Sequence, residues 1–337
     1  MALPFIRPVR HEDFDEIFAL AKKAGGGMTN LPPDETALRE RIDFAVESFE
    51  ANASEPGPEV YMLALEKDGA VMGTAAVFSS IGLESGFVNY KVNWTFHASQ
   101  QLGKRIKRRL LVPTHDFTGS SEVGSLYLSP DLRGGGFGKF LARTRYMFIA
   151  QRPDIIAESV CAELRGWRAP NGDQPFWNAL GRHFFDMEFE EADVHNAANG
   201  NQFIADLMPR ISIYVCLLPE DARACIGRPH DKAAPAYKML MKEGFAFNDY
   251  IDIFDGGPLV NTKIGNIKTV ADSRVLSIKA IDDAAVGAEG IIAAGEVAGF
   301  RAVRAELDVR NDECVVSPTV AETLRVEKGD VVRWVAW

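Results

Sequence analysis

Apolar residues along the chain alternate between two spacings, every second position and every third or fourth, and together these sketch an α+β order of elements. Phe5-Ile6-Arg7-Pro8-Val9 is a short β-prone run, and Asp13 precedes a helical stripe of Phe14, Ile17, Phe18 and Ala21. Gly25-Gly26-Gly27 follows that helix and reads as its C-terminal cap and loop. Asp34 or Thr36 opens a second helix that runs to about Phe49, and the polar stretch Asn52 to Glu59 leads to the next strand. Tyr61 to Glu66 and Val71 to Val77 flank Lys67-Asp68-Gly69, which predicts a hairpin, and Val88 to Val92 is a further extended run. Ile155 to Leu164 reads as a later strand, Pro175 to Phe185 as a short helix. From about Lys268 the pieces are short and β-prone: Val275–Ile278, Phe300–Ala305, Glu313–Val316 and Asp330–Trp334, which predict a small all-β subdomain.

The most informative stretch is Ser121 to Ala150. Val123 to Leu128 is β-prone and Ser129-Pro130-Asp131 ends it, because Pro cannot continue a ladder. Phe140, Leu141, Met147, Phe148 and Ile149 then recur among Lys139, Arg143 and Arg145 as one helical face would require. Between strand and helix stands Arg133-Gly134-Gly135-Gly136-Phe137-Gly138. Glycines there let the backbone approach an anion closely, and the helix start adds its unpaired N–H groups. A Walker A loop would need Ser or Thr after Lys139, where Phe140 stands, and a dinucleotide fingerprint would need Gly in place of Arg133. What remains, R-x-x-G-x-G after a strand, resembles the pyrophosphate loop of the acyl-CoA N-acyltransferase (GNAT) superfamily. The resemblance implies coenzyme A binding at Arg133, Gly134, Gly135, Gly136 and Gly138.

Charge and composition narrow the alternatives. A formal charge of −10 excludes a nucleic acid or an anionic membrane as the main partner, so positive potential for an anionic coenzyme must be local. No apolar run reaches the ~18 residues of a membrane span, and the first residues have no secretory pattern. Cys161, Cys216, Cys225 and Cys314 are widely spaced and read as small buried hydrophobes in a reducing compartment. A cytoplasmic protein is expected.

Several longer phrases together are similar to the arginine N-succinyltransferase family, which opens succinyl-dependent arginine degradation. They are I-R-P-V at Ile6–Val9, G-G-G-M-T-N-L-P at Gly25–Pro32, Asn89-Tyr90, A-S-Q-Q-L at Ala98–Leu102 and T-G-S-S-E at Thr118–Glu122. Further on come P-F-W-N-A-L-G-R-H-F-F from Pro175, N-Q-F-I-A-D-L-M-P from Asn201 and Y-I-D-I-F-D-G-G-P from Tyr250. The resemblance implies a GNAT-like fold and succinyl-CoA as co-substrate. It implies L-arginine as acceptor, no permanently bound cofactor and no metal, and a homo-oligomer or a hetero-oligomer with a related chain. It also implies that Leu126 contacts succinyl-CoA and that His230 is the proton donor, although Pro229 and Asp231 depart from the family's local pattern. A similarity between Pro175–Phe185 and Pro235–Phe245 suggests tandem GNAT-like halves. The expected division is residues 1–190 for acyl-CoA binding, 191–267 for a second half completing the active site, and 268–337 for the all-β subdomain.

The chemistry asks for a polarised thioester, a neutral amine and a proton for the thiolate. Backbone N–H groups at Leu126 suit the first. His230 suits the last, as would His97, His115, His183 or His195 from residue type alone. Glu122, Asp252 and Asp255 are candidates for the arginine guanidinium. The basic run Lys104–Arg109 reads as a solvated face, with a contact to the coenzyme's ribose phosphate as the other reading, and the spacing of His183, Asp193 and His195 fits no standard metal site. Two further functions stay open: an acyltransferase for ornithine, another amine or acetyl-CoA, and a regulatory subunit that acts with a related active chain.

Overall fold

The computed structural model describes residues 3–24, 30–199, 202–283 and 285–337. In chain order the strands are β1 (Phe5–Pro8), β2 (Val60–Lys67), β3 (Ala70–Phe78), β4 (Asn89–Ser99), β5 (Lys104–Thr114), β6 (Ser121–Leu128), β7 (Ser159–Glu163) and β8 (Ile213–Tyr214). They continue as β9 (Ala246–Ile251), β10 (Pro258–Lys263), β11 (Arg274–Ile281), β12 (Ala288–Ala294), β13 (Arg301–Arg310), β14 (Glu313–Val316) and β15 (Val331–Ala336). The three long helices of the first half are α1 (Phe14–Ala24), α2 (Glu35–Glu50) and α3 (Phe137–Gln151). No helix among the described residues is long and apolar enough to cross a membrane.

Two compact units emerge, each assembled from separated stretches. One comprises Met1–Ser80, Ser121–Val160 and Lys263–Trp337; the other Ile81–Ser120 and Cys161–Thr262. The expected boundaries at 190 and 267 do not coincide with these units, because strand pairing between distant stretches, not chain order, decides what packs together.

In the first unit β1 pairs with β2, β2 with β3, and β3 with β6, all antiparallel. The β2–β3 turn has Asp68 and Gly69 at φ +53° and +82°, the two left-handed positions that the sequence signal requires. α1 and α2 lay Ile17, Leu20, Leu38, Ile42 and Ala45 against Met62 and Ala64 of β2, two positions on one face of the strand. Asp34 caps α2, its carboxylate accepting the Ala37 N–H at 2.8 Å. The predicted helix after the glycine loop exists, but the single-face reading is corrected. Arg143, Thr144 and Arg145 are buried with the apolar set, leaving Lys139 as its exposed cation. Burial is possible because Arg143 donates to Thr269 Oγ1 and to the Ala336 carbonyl, both at 2.8 Å. The glycine cap expected at Gly25–Gly27 lies outside the described residues.

The C-terminal stretch is not all-β. Pro318–Leu324 is a helix, started by Ser317, whose hydroxyl accepts the Val320 N–H. Its strands also form a ring: β12 pairs with β15, β15 with β11, β11 with β14, β14 with β13, and β13 with β12. Closure removes free strand edges, and Leu276, Ile278, Ile292, Val303, Leu307, Val316 and Val332 pack together with Leu324 of the helix. β1 joins the ring through Phe5↔Val303 and Ile6↔Ala302, so the first strand of the chain belongs to both layers of pairing. β12 escaped the sequence reading because Ala288-Glu289-Gly290 has low β propensity. Gly290 is required there, since a Cβ would overlap the Trp334 indole.

In the second unit the strands follow the order β10, β9, β4, β5, β8. β4 and β5 are a long hairpin in register from Asn89↔Thr114 to Ser99↔Lys104. The basic run is thus the outer half of β5, with Lys104, Arg105, Lys107 and Arg108 exposed. Trp177 anchors the core, stacked on Phe185 at 5.2 Å and Phe254 at 5.5 Å. Pro175–Phe185 forms two short helices, Pro175–Ala179 and Arg182–Phe185, because Gly181 presses against the Trp177 ring. Its supposed repeat, Pro235–Phe245, is covered as far as Lys242 by the single helix Ala234–Lys242 of the same unit. The strand read over Ile155–Leu164 is only Ser159–Glu163, since Pro153–Ile155 is a 3-10 turn. Of the four free thiols Cys216 is exposed, against expectation, and the other three are buried.

Candidate functional site

β6 departs from regularity where the sequence placed the thioester contact. Thr74 opposes Tyr127 and Ala76 opposes Gly124, so Ser125 and Leu126 together face the single residue Ala75. This is a β-bulge, and Ser125 adopts φ +49° to make it. Two contacts hold the strained residue: its hydroxyl donates to the Asn30 carbonyl at 2.9 Å, and its carbonyl accepts from Thr74 Oγ1 at 3.0 Å. An extra residue interrupts the ladder locally, so backbone groups at half-buried Leu126 can address a ligand in place of a neighbouring strand.

The loop beyond is held by backbone bonds at its base. The Ser129 N–H donates to the Met72 carbonyl at 2.8 Å, and Pro130–Leu132 makes a 3-10 turn. Gly134 and Gly136 then take φ +89° and +81°, with Gly136 the N-cap of α3. Its carbonyl accepts the first intrahelical bond, from Phe140 at 3.0 Å, which leaves the N–H groups of Phe137, Gly138 and Lys139 outside the helical pattern. Arg133, Gly134, Gly135 and Lys139 are exposed. The five loop residues named from sequence fall within six consecutive positions, at the start of a fifteen-residue helix whose dipole favours an anion. Their steric demands differ: a Cβ on Gly136 would meet Arg304 Nη1 at 2.8 Å, whereas one on Gly134 would meet nothing within 4 Å.

Sequence reading missed the groups around this loop. Arg304 donates to the Gly135 carbonyl at 3.3 Å and to Glu289 at 2.7 Å. Its guanidinium and the Lys139 ammonium lie over the Trp337 ring at 4.1 and 4.0 Å. No short motif links positions so far apart; the β-prone pattern near the C-terminus was the only signal, and it carried no address.

Glu122, at the start of β6, is buried beside Asn30 Nδ2 at 3.4 Å, and Arg41 donates to Asn30 Oδ1 at 3.3 Å. Burial pushes its carboxyl up to about 7, against the opposing pull of Arg41, Asn30 and Arg145. A carboxylate of that kind can take and return a proton near neutrality.

His230 is held within the second unit by backbone pairing. Its N–H donates to the Arg165 carbonyl at 2.8 Å, Trp167 N–H donates to the Arg228 carbonyl at 3.0 Å, and Pro229 bridges Gly166. The departure at Pro229 is therefore accommodated in a short extended pairing. Nδ1 of His230 accepts the Lys232 N–H at 3.0 Å, which places the proton of the neutral ring on Nε2. Burial, then the nearby Arg165 and Arg168 guanidiniums, lower its pKa below the ordinary 6.5. The neutral Nε2–H form is favoured.

The other acids do not suit the guanidinium. Asp255 Oδ2 accepts Gly166 N–H at 2.7 Å and its Oδ1 accepts Gly257 N–H at 2.8 Å. Asp252 Oδ1 accepts the N–H groups of Phe254 and Asp255, both at 2.8 Å. Both carboxylates build the Ile251–Pro258 turn. His195 packs edge-on against Phe203, and His97 faces the Tyr214 hydroxyl at 3.4 Å. Among the described residues no group of three or more His, Cys, Asp or Glu could hold a metal ion.

Comparison with known proteins agrees along the whole chain. Residues 4–269 match the family model "Arginine N-succinyltransferase beta subunit", and residues 274–336 match the model of that family's C-terminal domain. The arginine N-succinyltransferase subunit beta of Pseudomonas aeruginosa is 38% identical over 335 residues, covering 97% of this chain and 96% of its own. Arginine N-succinyltransferase of Citrobacter koseri is 38% identical over 333 residues, covering 98% and 96%. The solved structure of the arginine/ornithine succinyltransferase subunit AI from Pseudomonas aeruginosa superposes with a TM-score of 0.90 at 34% identity, covering 100% of this chain and 99% of that one.

Proposed function

The chain belongs to the arginine N-succinyltransferase family, and on that premise we propose that it transfers succinyl from succinyl-CoA to the α-amino group of L-arginine, giving N2-succinyl-L-arginine and CoA. The observation that carries the reading is the bulge at Ser125-Leu126 running directly into the glycine loop and the start of α3. One strand thus offers backbone N–H groups for a thioester carbonyl and, a few residues later, N–H groups for a pyrophosphate. Arg133, Gly134, Gly135, Gly136 and Gly138 are assigned to the coenzyme, with Arg304 and Lys139 supplying the local positive field that an acidic chain needs.

The amine must lose a proton as it attacks the carbonyl carbon. Glu122 is assigned that proton, because its raised pKa matches a base that works near neutrality. As the tetrahedral intermediate collapses, the carbon–sulfur bond breaks and charge develops on sulfur. The proton-donor role that the resemblance implies for His230 is narrowed here to an Nε2–H hydrogen bond on that charge, because burial, then Arg165 and Arg168, disfavour the imidazolium; the thiolate takes its proton from solvent as CoA leaves. The same reading takes the first unit as the GNAT-like acyl-CoA-binding part and the second as a further GNAT-like half, in a cytoplasmic enzyme. The word subunit in the Pseudomonas relative's name supports an assembly of more than one chain.

Thiol release by the purified protein tests this, with succinyl-CoA or acetyl-CoA as donor and L-arginine, L-ornithine or L-lysine as acceptor. Release with succinyl-CoA and arginine is expected. Equal release with ornithine would widen the acceptor class, and release with acetyl-CoA alone would overturn the donor. Silence in every combination despite coenzyme binding would favour a chain that needs a related subunit.

A further inference from the structure

Unit one holds a second concentration of guanidinium groups that the transferase reading does not use. A cavity of about 910 Å³ is lined by Arg7, Arg10, Arg301, Arg325 and Arg333, with Phe49, Val326 and Phe300 among its apolar walls. Arg7 is satisfied, bound to Asp13 through both terminal nitrogens at 2.7 Å and to Glu66 at 2.6 Å. The others differ. Arg301 spends one nitrogen on the Thr323 carbonyl at 2.9 Å and lies over the Phe5 ring at 5.0 Å. Among the described residues neither Arg10 nor Arg325 makes a side-chain ion pair, and Arg333 Nε, which is buried, has no hydrogen-bond partner. Burial first, then the proximity of Arg325 and Arg10, lowers the proton affinity of Arg301, as like charges sharing one space should.

The acids on the cavity wall do not neutralise this group. Glu12, Glu50 and Glu296 are exposed, Glu296 acts on Arg152, and Asp330 Oδ2 accepts the Glu327 N–H at 2.8 Å. His11 is taken by Asp43 at 2.8 Å. Three guanidiniums held near one another, with no carboxylate ion-paired to any of them among the described residues, present many fixed donors to a planar or tetrahedral oxyanion. The arrangement also has a structural reason to persist. Arg301 begins β13, Arg325 is the left-handed cap of the Pro318–Leu324 helix at φ +59°, and Arg10 follows β1, which pairs with β13. The ring of C-terminal strands brings them together.

We propose that Arg10, Arg301 and Arg325 form a binding site for a small multivalent oxyanion, inorganic phosphate or a di- or tricarboxylate, separate from the glycine loop that takes the coenzyme.

Titration calorimetry of the full chain tests it with three arms: sodium phosphate, sodium citrate, and sodium chloride at matched ionic strength. Saturable binding of phosphate or citrate, absent with chloride, is expected, and which of the two binds identifies the source. The doubly substituted R10Q/R325Q protein, changed at exposed side chains, should bind at least tenfold more weakly while its anion-free turnover stays within twofold. Gly136→Ala, which alters the coenzyme loop, should leave this binding unchanged. No binding beyond the chloride arm, equal binding by R10Q/R325Q, or loss of binding in Gly136→Ala would each overturn the proposal.

Discussion

The strand, loop and helix from Ser121 to Gln151 and the short turn that carries His230 are assigned their parts in the transfer by opposite means. In the first, apart from the Glu122 carboxyl at its start and the cations beside the loop, the parts fall to backbone N–H groups: Ser125 at φ +49° makes the bulge that aims them, and Gly134 and Gly136 shape the loop. In the second, the part is assigned to one side chain, and backbone groups tune it: Lys232 N–H fixes the ring's tautomer and the Arg165 carbonyl fixes its position. A backbone device survives most side-chain changes but fails on backbone strain; a side-chain device does the reverse.

That contrast orders the expected effects. Glu122→Gln removes the assigned base, and kcat should fall about 10²- to 10⁴-fold, the usual span for a lost acid–base group. Because burial raises its pKa to about 7, the wild-type kcat/KM should climb as pH rises through 7, and the variant should lose that limb. The stability sign is opposite. A carboxyl whose folded pKa lies above its ordinary 4.5 favours the fold at low pH, so its contribution fades as pH rises from 4.5 towards 7, and Glu122→Gln should flatten that part of the Tm–pH curve.

His230→Gln should lower kcat by about 10²-fold with little change in KM for succinyl-CoA, the scale for one lost oxyanion-type donor. The wild-type should show a second acid limb below 6.5, where Nδ1 takes a proton and loses the Lys232 N–H bond that positions the ring, and His230→Gln should lack it. An unchanged pH profile would break the tautomer argument even if the rate fell.

Gly136→Ala should weaken coenzyme binding about tenfold, from the ~1–2 kcal/mol cost of a left-handed non-glycine residue, with the Arg304 contact adding to it. Gly134→Ala has open space around its Cβ and should lose less in the same titration. Equal losses would show that φ alone matters. Asp34→Ala is the smallest case: loss of the α2 cap should cost about 1 kcal/mol in urea unfolding and leave kcat unaltered.

What could be read in advance follows the same division. The loop from Arg133 to Gly138 was legible because left-handed backbone demands glycine, and the Asp68-Gly69 hairpin was legible for the same reason. The bulge was not, because a serine took the left-handed position and only its contacts with Asn30 and Thr74 stabilise it there. β12 was hidden by small residues that the Trp334 ring requires, and the burial of Arg143 and Arg145 by hydrogen bonds to distant carbonyls. His230 was reached through resemblance; its tautomer and lowered pKa come from Lys232, Arg165 and Arg168, whose arrangement no spacing rule expresses. Asp252 and Asp255 looked like ligands because free carboxylates in a glycine-rich turn look alike whether they bind a substrate or the turn itself.

The most direct measurement is the identity of the acylated nitrogen. L-arginine labelled at every nitrogen is incubated with the purified protein and succinyl-CoA, and the product is followed by nitrogen-resolved NMR. The account predicts that the α-amine becomes an amide while the guanidinium signals stay unmoved. Acylation at another nitrogen, or CoA release without an amide, would contradict it.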